Sequence, residues 1–176
     1  MKKLIIAAAI FLSACTTKIH NQDYTIKPAE VRLGTFDSVI VRPLYVEHMG
    51  GDRGDRAAVE RLDQGVRSCM SSVFGGKQQT SSADNAPANT LLIEPSIVDL
   101  KKVGTGERFF AGAFAGSSAV LLKTKYTDLQ NRKVIAEPVF YSKASAMGGA
   151  WTLGATDNGM LSRATDLACD YARRNF

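Results

Sequence analysis

The order of strand and helix patterns along the chain is the feature that most limits its fold. β-branched and aromatic residues predict strands over 38–46, 89–100, 119–129 and 133–144. Apolar residues at helical spacing predict helices over 55–73 and 157–175. The strands are grouped and do not alternate with helices, which indicates an α+β domain. We expect a mixed or antiparallel sheet of about four to five strands, with a long helix after strand 1 and a C-terminal helix packed on one face.

Proline and turn residues refine this prediction. Pro43 and Pro95 lie inside strand patterns. Because proline cannot donate to a ladder, each indicates an edge position or a bulge. The last two strand patterns are separated by Gln130-Asn131-Arg132, a length typical of a hairpin turn. We therefore expect these two strands to be antiparallel neighbours.

The N-terminus has the layout of an export signal. Lys2 and Lys3 precede an apolar run over 4–12, and small residues follow before Cys15. A helix that spans a bilayer needs about 20 apolar residues, roughly twice this run. We predict a signal peptide over 1–14 and no permanent transmembrane anchor.

Leu12-Ser13-Ala14-Cys15 closely resembles the lipobox of bacterial lipoproteins. In that family the cysteine thiol receives a diacylglyceryl group, the signal is cut before the cysteine, and the new amine is acylated, as with palmitate. The resemblance implies that a lipid on Cys15 holds the chain at a membrane. The residues that follow show no sustained period and are mixed polar with Pro28, so we predict a tether over 15–34 and a single domain over 35–176. By resemblance to enterobacterial lipoprotein sorting, Thr16 in place of aspartate favours the outer membrane, with the domain facing the periplasm. The alternative is an ordinary secretory signal with a chance cysteine.

The charge of the chain says little about its partners. The chain has 22 Lys and Arg against 17 Asp and Glu, and two of the lysines belong to the signal. No block of basic residues suggests a nucleic-acid footprint, and export makes such a partner still less expected.

Two further cysteines, Cys69 and Cys169, lie on the flanks of the two predicted helices. Flank positions would face each other if the helices lay side by side, and an exported protein meets an oxidising compartment. A disulfide would close a loop of about 100 residues, worth roughly 4 to 5 kcal/mol in the chain-entropy model. The alternative is two separate small core residues.

The sequence offers no catalytic, cofactor or metal site, so we expect a protein that is not an enzyme. The histidines, His20 and His48, fall in the tether and in a loop, and no Cys/His cluster has metal-ligand spacing. Ser117 lacks the flanking glycines of a nucleophile elbow. The acids Asp52 and Asp55 fit the N-terminus of a helix better than a catalytic pair.

Four aromatic residues form a candidate interaction surface: Phe109, Phe110, Phe114 and Trp151. The phenylalanines lie in a glycine-rich apolar segment, which could pack on the core, face a partner or another copy, or contact the membrane. Trp151 lies in a glycine-rich lead to the last helix and could be tucked on the domain or anchor an interface.

The segment from residue 89 to the C-terminus resembles a family of small uncharacterised bacterial lipoproteins. The resemblance rests on Ile93-Glu94-Pro95, the glycine-rich 106–118, the hairpin and Gly154-Ala155-Thr156-Asp157. That layout is similar to the amino-terminal domain of the Tol-system translocation protein, to lipoprotein activators of penicillin-binding proteins and to the curli secretion lipoprotein. Those domains bind proteins or assemble, so the resemblance implies a non-catalytic binding or assembly module.

Three functional hypotheses remain from the sequence. The first is a lipid-anchored envelope protein that binds another protein, whose identity the sequence does not give. The second is a subunit of an oligomeric secretion or pore assembly, which self-association through the apolar segment would favour. The third is a cell-wall hydrolase, which would need a catalytic constellation that the sequence does not offer.

Overall fold

The structure, a computed structural model, describes residues 26–47, 53–101, 118–144 and 155–176. Its α-helices are α1 (Arg53–Val73) and α2 (Ala155–Asn175), and a short 3-10 helix covers Leu33–Thr35. Its strands are β1 (Ser38–Val41), β2 (Tyr45–Val46), β3 (Gln78–Gln79), β4 (Thr90–Lys101), β5 (Ala119–Asp128), β6 (Lys133–Ala136) and β7 (Val139–Lys143).

The strands form one mixed sheet built around the long strands β4 and β5. Its order is β3-β1-β4-β5-β6, with β2 beside β4 and β7 beside β5. β1 and β2 run parallel to β4, whereas β5 is antiparallel to β4, β6 and β7. The α+β class and the mixed sheet are therefore as predicted. The sheet has 7 strands because two predicted strands are each broken in two and β3 adds a short edge.

The break between β1 and β2 explains both prolines. Val41 pairs with Ile93 and Tyr45 with Ser96, so the segment that holds Pro43 has one residue more than β4, as a bulge requires. The Arg42 N–H donates to the Ile93 carbonyl over 2.9 Å. The next bond of a parallel ladder would come from the N–H of residue 95, which proline lacks.

Pro95 thus lies inside a central strand and not at an edge, which corrects that part of the prediction. Its missing donor faces the interruption of the neighbouring strand, where no ladder bond is made. The bulge in β4 falls elsewhere, between Ile97 and Asp99. The break between β6 and β7 falls at Glu137-Pro138, where the ladder on β5 changes partner.

The predicted hairpin joins β5 to β6. The Asp128 carboxylate accepts the N–H of Gln130 at 3.0 Å and of Asn131 at 3.2 Å. Arg132 completes the turn at a φ of 52°. An aspartate that binds its own turn in this way favours the reversal of the chain.

Both helices cover one face of the sheet and run parallel to each other. Gly65 lies against Thr165, and the Cys69–Cys169 disulfide follows one turn later. The core between helices and sheet includes Leu62, Met70, Ile93, Leu122, Tyr126 and Phe140, each at most 1% exposed. The amphipathic stripes of the helices therefore do what their spacing predicts.

Residues 26–34, which we call the N-terminal strap, lie on the domain. The Tyr171 hydroxyl donates to the Lys27 carbonyl over 3.0 Å, and the Ala29 N–H donates to Asn175 Oδ1 over 2.8 Å. The Glu30 N–H donates to the Ile135 carbonyl on the outer edge of β6. Leu33 is fully buried in the core. Contacts with the domain therefore start near residue 27.

Candidate functional site

Three connections leave the sheet at one end, which we call the loop end. Lys101 pairs with Ala119, and Ala119 pairs with Lys143, so the ends of β4, β5 and β7 lie in one row. β2 runs parallel to β4 and ends in the same direction. By connectivity, the segments 48–52, 102–117 and 145–154 all start or return at this end.

The sheet topology brings the flanks of the predicted interaction segments together. Phe109, Phe110 and Phe114 belong to 102–117 and Trp151 belongs to 145–154. All four lie outside the described residues, as do Cys15, His20 and His48. The strand ends beside the two segments are hydrogen-bonded neighbours, since the Ala144 N–H donates to the Ser118 carbonyl over 2.8 Å. The sequence alone gave no sign of this proximity, because it depends on long-range strand pairing.

The strand edges differ between the two ends of the sheet. At the end away from the loops, β1 is covered by β3, and β6 receives a hydrogen bond from the strap. At the loop end, neither β2 nor β7 has a strand on its outer side within the described part of the chain. An uncovered edge offers backbone groups to another chain.

The hydrogen bonds between β5 and β7 show which backbone groups of β7 face outwards. The Pro138 carbonyl accepts from Thr124 and the Ala144 N–H donates to Ser118, so the even-numbered residues face β5. The backbone groups of Val139, Tyr141 and Lys143 therefore face outwards. The Lys143 carbonyl accepts from Arg163 over 2.8 Å.

Ion pairs mark the sheet face away from the helices. Lys123 Nζ lies 2.9 Å from Glu47 and 3.9 Å from Glu137, and Lys125 Nζ lies 3.2 Å from Glu94. These side chains alternate along β5 with core residues, which places them on the uncovered face. Partly exposed pairs of this kind contribute about 1 kcal/mol each, so they bear mainly on what could dock on this face.

The titratable groups whose pKa is shifted lie away from the loop end. Burial, and next the neighbouring Tyr171, raise the pKa of Tyr126 far above its usual value. Burial also raises the pKa of Tyr171. A hydrogen bond and the charge of Glu30 raise the pKa of Lys133. Tyr126 and Tyr171 belong to the core, and Lys133 of β6 pairs with Glu30 of the strap, so none of the three lies at the loop end.

Metal-ligand clusters and membrane-spanning helices are both absent from the described residues. They contain no group of three or more His, Cys, Asp or Glu placed to hold a metal ion. No helix among them is both long and apolar enough to cross a bilayer.

The predicted disulfide is present. Cys69 and Cys169 are bonded, with their Cα atoms 5.8 Å apart, and both are largely buried. The bond joins the flanks of two neighbouring helices, as their positions on the helical stripes predicted.

No protein-family model matches the chain, and no curated protein matches it. Solved structures with similar folds include a PelC variant dodecamer from Paraburkholderia phytofirmans (17% identity, 85% of this chain and 91% of that chain covered, TM-score 0.46). Others are lipoprotein GNA1162 from Neisseria meningitidis (11%, 69% and 96%, 0.36) and a minor lipoprotein from Acinetobacter baumannii (7%, 80% and 94%, 0.40). Two of these three neighbours are lipoproteins by name. Identities and TM-scores at this level assign the chain to no family.

Proposed function

We propose that this chain is a lipoprotein of the bacterial envelope whose α+β domain is a non-catalytic module that binds another protein. A lipid on Cys15 anchors it in the outer membrane, and the domain faces the periplasm. The lipobox-like Leu12-Ser13-Ala14-Cys15 supports the anchor, and Thr16 supports the choice of membrane. Two or more acyl chains make such an anchor stable without help from the fold.

The observation that carries the binding role is the convergence of three chain connections and two uncovered strand edges at one end of the sheet. By connectivity, three segments start or return at the loop end: 48–52, 102–117 and 145–154. In the described part of the chain, β2 and β7 also have uncovered edges there. Binding residues commonly lie in loops that a rigid scaffold positions. Uncovered strands add backbone hydrogen bonds to what those loops offer a partner.

The tether meets the domain far from this end. Lys27 contacts Tyr171, which lies about 24 Å along α2 from the first residue of the helix at 1.5 Å per residue. A domain held by its strap would therefore present the loop end away from its attachment. This separation suits a protein that must meet a partner while it stays anchored.

Photo-crosslinking in intact cells tests the binding role. A photoreactive residue at Tyr45 or Tyr141, on the uncovered strands, is expected to capture one reproducible envelope protein. The same residue at Asn131, in the β5–β6 turn at the other end, is the matched control and should not. Equal capture from Asn131, or no reproducible product from the loop end, would contradict the proposal.

The anchor has its own test. Cys15→Ala should lose the acyl mass and leave the membrane fraction. If this variant stays in the membrane fraction with an unchanged mass, Cys15 is not the lipid site.

Self-assembly is the second candidate function. The uncovered edges of β2 and β7 are the two opposite lateral edges of one sheet. If β2 of one copy paired with β7 of the next, head-to-tail contacts would extend the sheet from copy to copy. Gel filtration of the oxidised mature chain with Cys15→Ala separates the two functions. A defined ring-sized species would favour assembly over a monomeric adaptor.

A further inference from the structure

Basic side chains cluster where the tether reaches the domain. The strap contacts the last turns of α2 through Tyr171 and Asn175, and it contacts β6 through Ile135. These three segments and the turn that precedes β6 carry six exposed cations, which we call the basic surface: Lys27, Arg32, Arg132, Lys133, Arg173 and Arg174.

The acids beside this surface leave much of its charge uncompensated. Glu30 binds Lys133 over 2.6 Å, and Asp170 binds Arg173 over 3.2 Å. The Asp128 carboxylate accepts hydrogen bonds from the turn backbone and from the Asn131 side chain.

The remaining cations of the basic surface are available to an outside anion. Lys27, Arg32, Arg132 and Arg174 form no ion pair with any residue that the structure describes. The basic surface therefore has a net positive charge, although the mature chain as a whole is only mildly basic.

The length of the chain between Cys15 and Lys27 limits how far this surface lies from the lipid. Twelve bonds between consecutive Cα atoms span at most about 40 Å when extended. A tether of this kind gives an effective concentration in about the millimolar range, at which weak contacts are occupied.

We infer that the basic surface binds the anionic phospholipid head groups of the membrane in which Cys15 is anchored. The inference rests on the proposed lipid anchor, because the anchor is what brings this surface to a bilayer. A basic side chain near an anionic membrane strengthens binding about fivefold, within a screening length of about 8 Å at physiological salt. Contact through this surface turns the loop end towards the aqueous side. An acidic protein is the other class of partner with this charge, but nothing ties such a partner to the point where the tether enters.

The test uses the mature chain from residue 15 with Cys15→Ala, so that no lipid contributes. This chain keeps the whole core, whose members lie between Leu33 and Ala172, and it keeps the disulfide. Its co-sedimentation is measured with phosphatidylcholine vesicles that contain or lack phosphatidylglycerol. We expect binding to the anionic vesicles alone, and loss of this binding at high salt. Equal binding to both kinds of vesicle, or binding to neither, would overturn the inference.

A charge-matched pair of variants locates the surface. Lys27→Glu with Arg174→Glu should weaken binding to the anionic vesicles more than about tenfold. Arg56→Glu with Arg61→Glu makes the same change of charge on exposed positions of α1 and should weaken it far less. Equal effects of the two pairs would contradict the placement. Lys27→Gln with Arg174→Gln should give an intermediate loss at an unchanged melting temperature, which separates lost charge from lost fold.

Failure of this inference differs from failure of the proposed function. If the lipidated wild type stays with membranes while the unlipidated chain ignores anionic vesicles, the anchor stands and the basic surface does not bind lipid. If the Lys27 and Arg174 variants instead lose a crosslinked protein partner and keep vesicle binding, the surface serves that partner.

Discussion

Cys69 of α1 and Cys169 of α2 lie at the same level of two parallel helices, and their bond holds the helix axes close. One turn earlier, Gly65 of α1 faces Thr165 of α2. A Cβ added at Gly65 would lie 3.1 Å from Thr165 Cγ2 and Oγ1, closer than ordinary van der Waals contact. The disulfide and the glycine therefore describe one feature, a short interhelical distance.

Loss of this disulfide should destabilise the domain strongly. The bond closes a loop with a sequence separation of 100, which corresponds to about 4.7 kcal/mol in the chain-entropy model. We expect Cys69→Ala with Cys169→Ala to lower the free energy of unfolding by roughly 2 to 5 kcal/mol. Urea denaturation of the oxidised protein and of the variant measures this difference. Reductant should destabilise the wild type and leave the variant unchanged; an equal response of both would contradict the prediction.

Gly65→Ala should destabilise the domain although alanine is the better helix former. The propensity gain is about 1 kcal/mol, whereas forced overpacking costs about 1 to 3 kcal/mol, and the disulfide prevents the helices from separating. Thermal unfolding should therefore show a lower melting temperature. Adding Thr165→Ala, which removes the facing atoms, should restore much of the loss.

A second helical glycine supplies the matched control. A Cβ at Gly159 would meet only the far end of the flexible Arg163 side chain, at 3.4 Å. Gly159→Ala should therefore stabilise the domain by up to about 1 kcal/mol. If Gly65→Ala and Gly159→Ala shift the melting temperature equally, close helix contact is not what requires glycine at position 65.

The features that could be predicted from the sequence are those that local spacing determines. The two helices, the hairpin at Gln130-Asn131-Arg132 and the facing cysteine flanks follow from periodicity and turn residues. The place of Pro95 in a central strand could not be predicted this way. It depends on a gap between β1 and β2 that only the pairing of distant segments reveals.

The contacts of the strap and the neighbours at the loop end also depend on long-range pairing and could not be predicted from local spacing. Residues 26–34 have no periodic pattern because many of their contacts are backbone hydrogen bonds to Tyr171, Asn175 and Ile135, more than one hundred residues away. The aromatic candidates Phe109 and Trp151 were chosen by composition. Only strand register places the strand ends that flank their segments beside each other, at Ala119 and Lys143.

Two touching tyrosines should respond oppositely to removal of their hydroxyls. The Tyr126 hydroxyl is fully buried and has no hydrogen-bond partner among the described residues, whereas the Tyr171 hydroxyl holds the strap at Lys27. The ring centroids lie 5.7 Å apart, so the two rings belong to the same part of the core. We expect Tyr126→Phe to be neutral or stabilising by about 1 kcal/mol, and Tyr171→Phe to cost about 1 kcal/mol. Urea denaturation that ranks the two variants in the reverse order would contradict this assignment.

Alkaline pH should destabilise the domain through Tyr126. Burial raises its pKa well above the usual value of about 10. Below about pH 10 the residue is protonated in both the folded and the unfolded state, so it adds no pH dependence to the free energy of unfolding. Above it the unfolded chain releases the proton and the folded chain does not, so the free energy of unfolding falls by about 1.4 kcal/mol per pH unit. Tyr126→Phe should reduce this slope when unfolding is measured from pH 9 upwards; an unchanged slope would count against the burial of this hydroxyl.

The hold of the strap should depend on one carbonyl oxygen of Asn175. Its Oδ1 accepts the Ala29 N–H over 2.8 Å, and its Nδ2 donates to the Tyr171 carbonyl over 2.8 Å, so the side chain links the strap to the last turn of α2. Asn175→Ala removes both bonds and should accelerate hydrogen exchange at the amides of Ala29 and Glu30. Asn175→Asp keeps an oxygen in place of Oδ1 and should preserve much of the protection at Ala29.

A control at the other contact of this region separates the strap from the sheet. Asn131 binds Asp128 within the β5–β6 turn and makes no hydrogen bond to the strap among the described residues. Asn131→Ala should therefore leave exchange at Ala29 and Glu30 unchanged while it speeds exchange within the turn. If Asn175→Ala leaves the two strap amides protected, the single bond from Glu30 to Ile135, together with the burial of Leu33, is enough to hold the strap. The entry of the tether would then be fixed by the β6 edge, not by the end of α2.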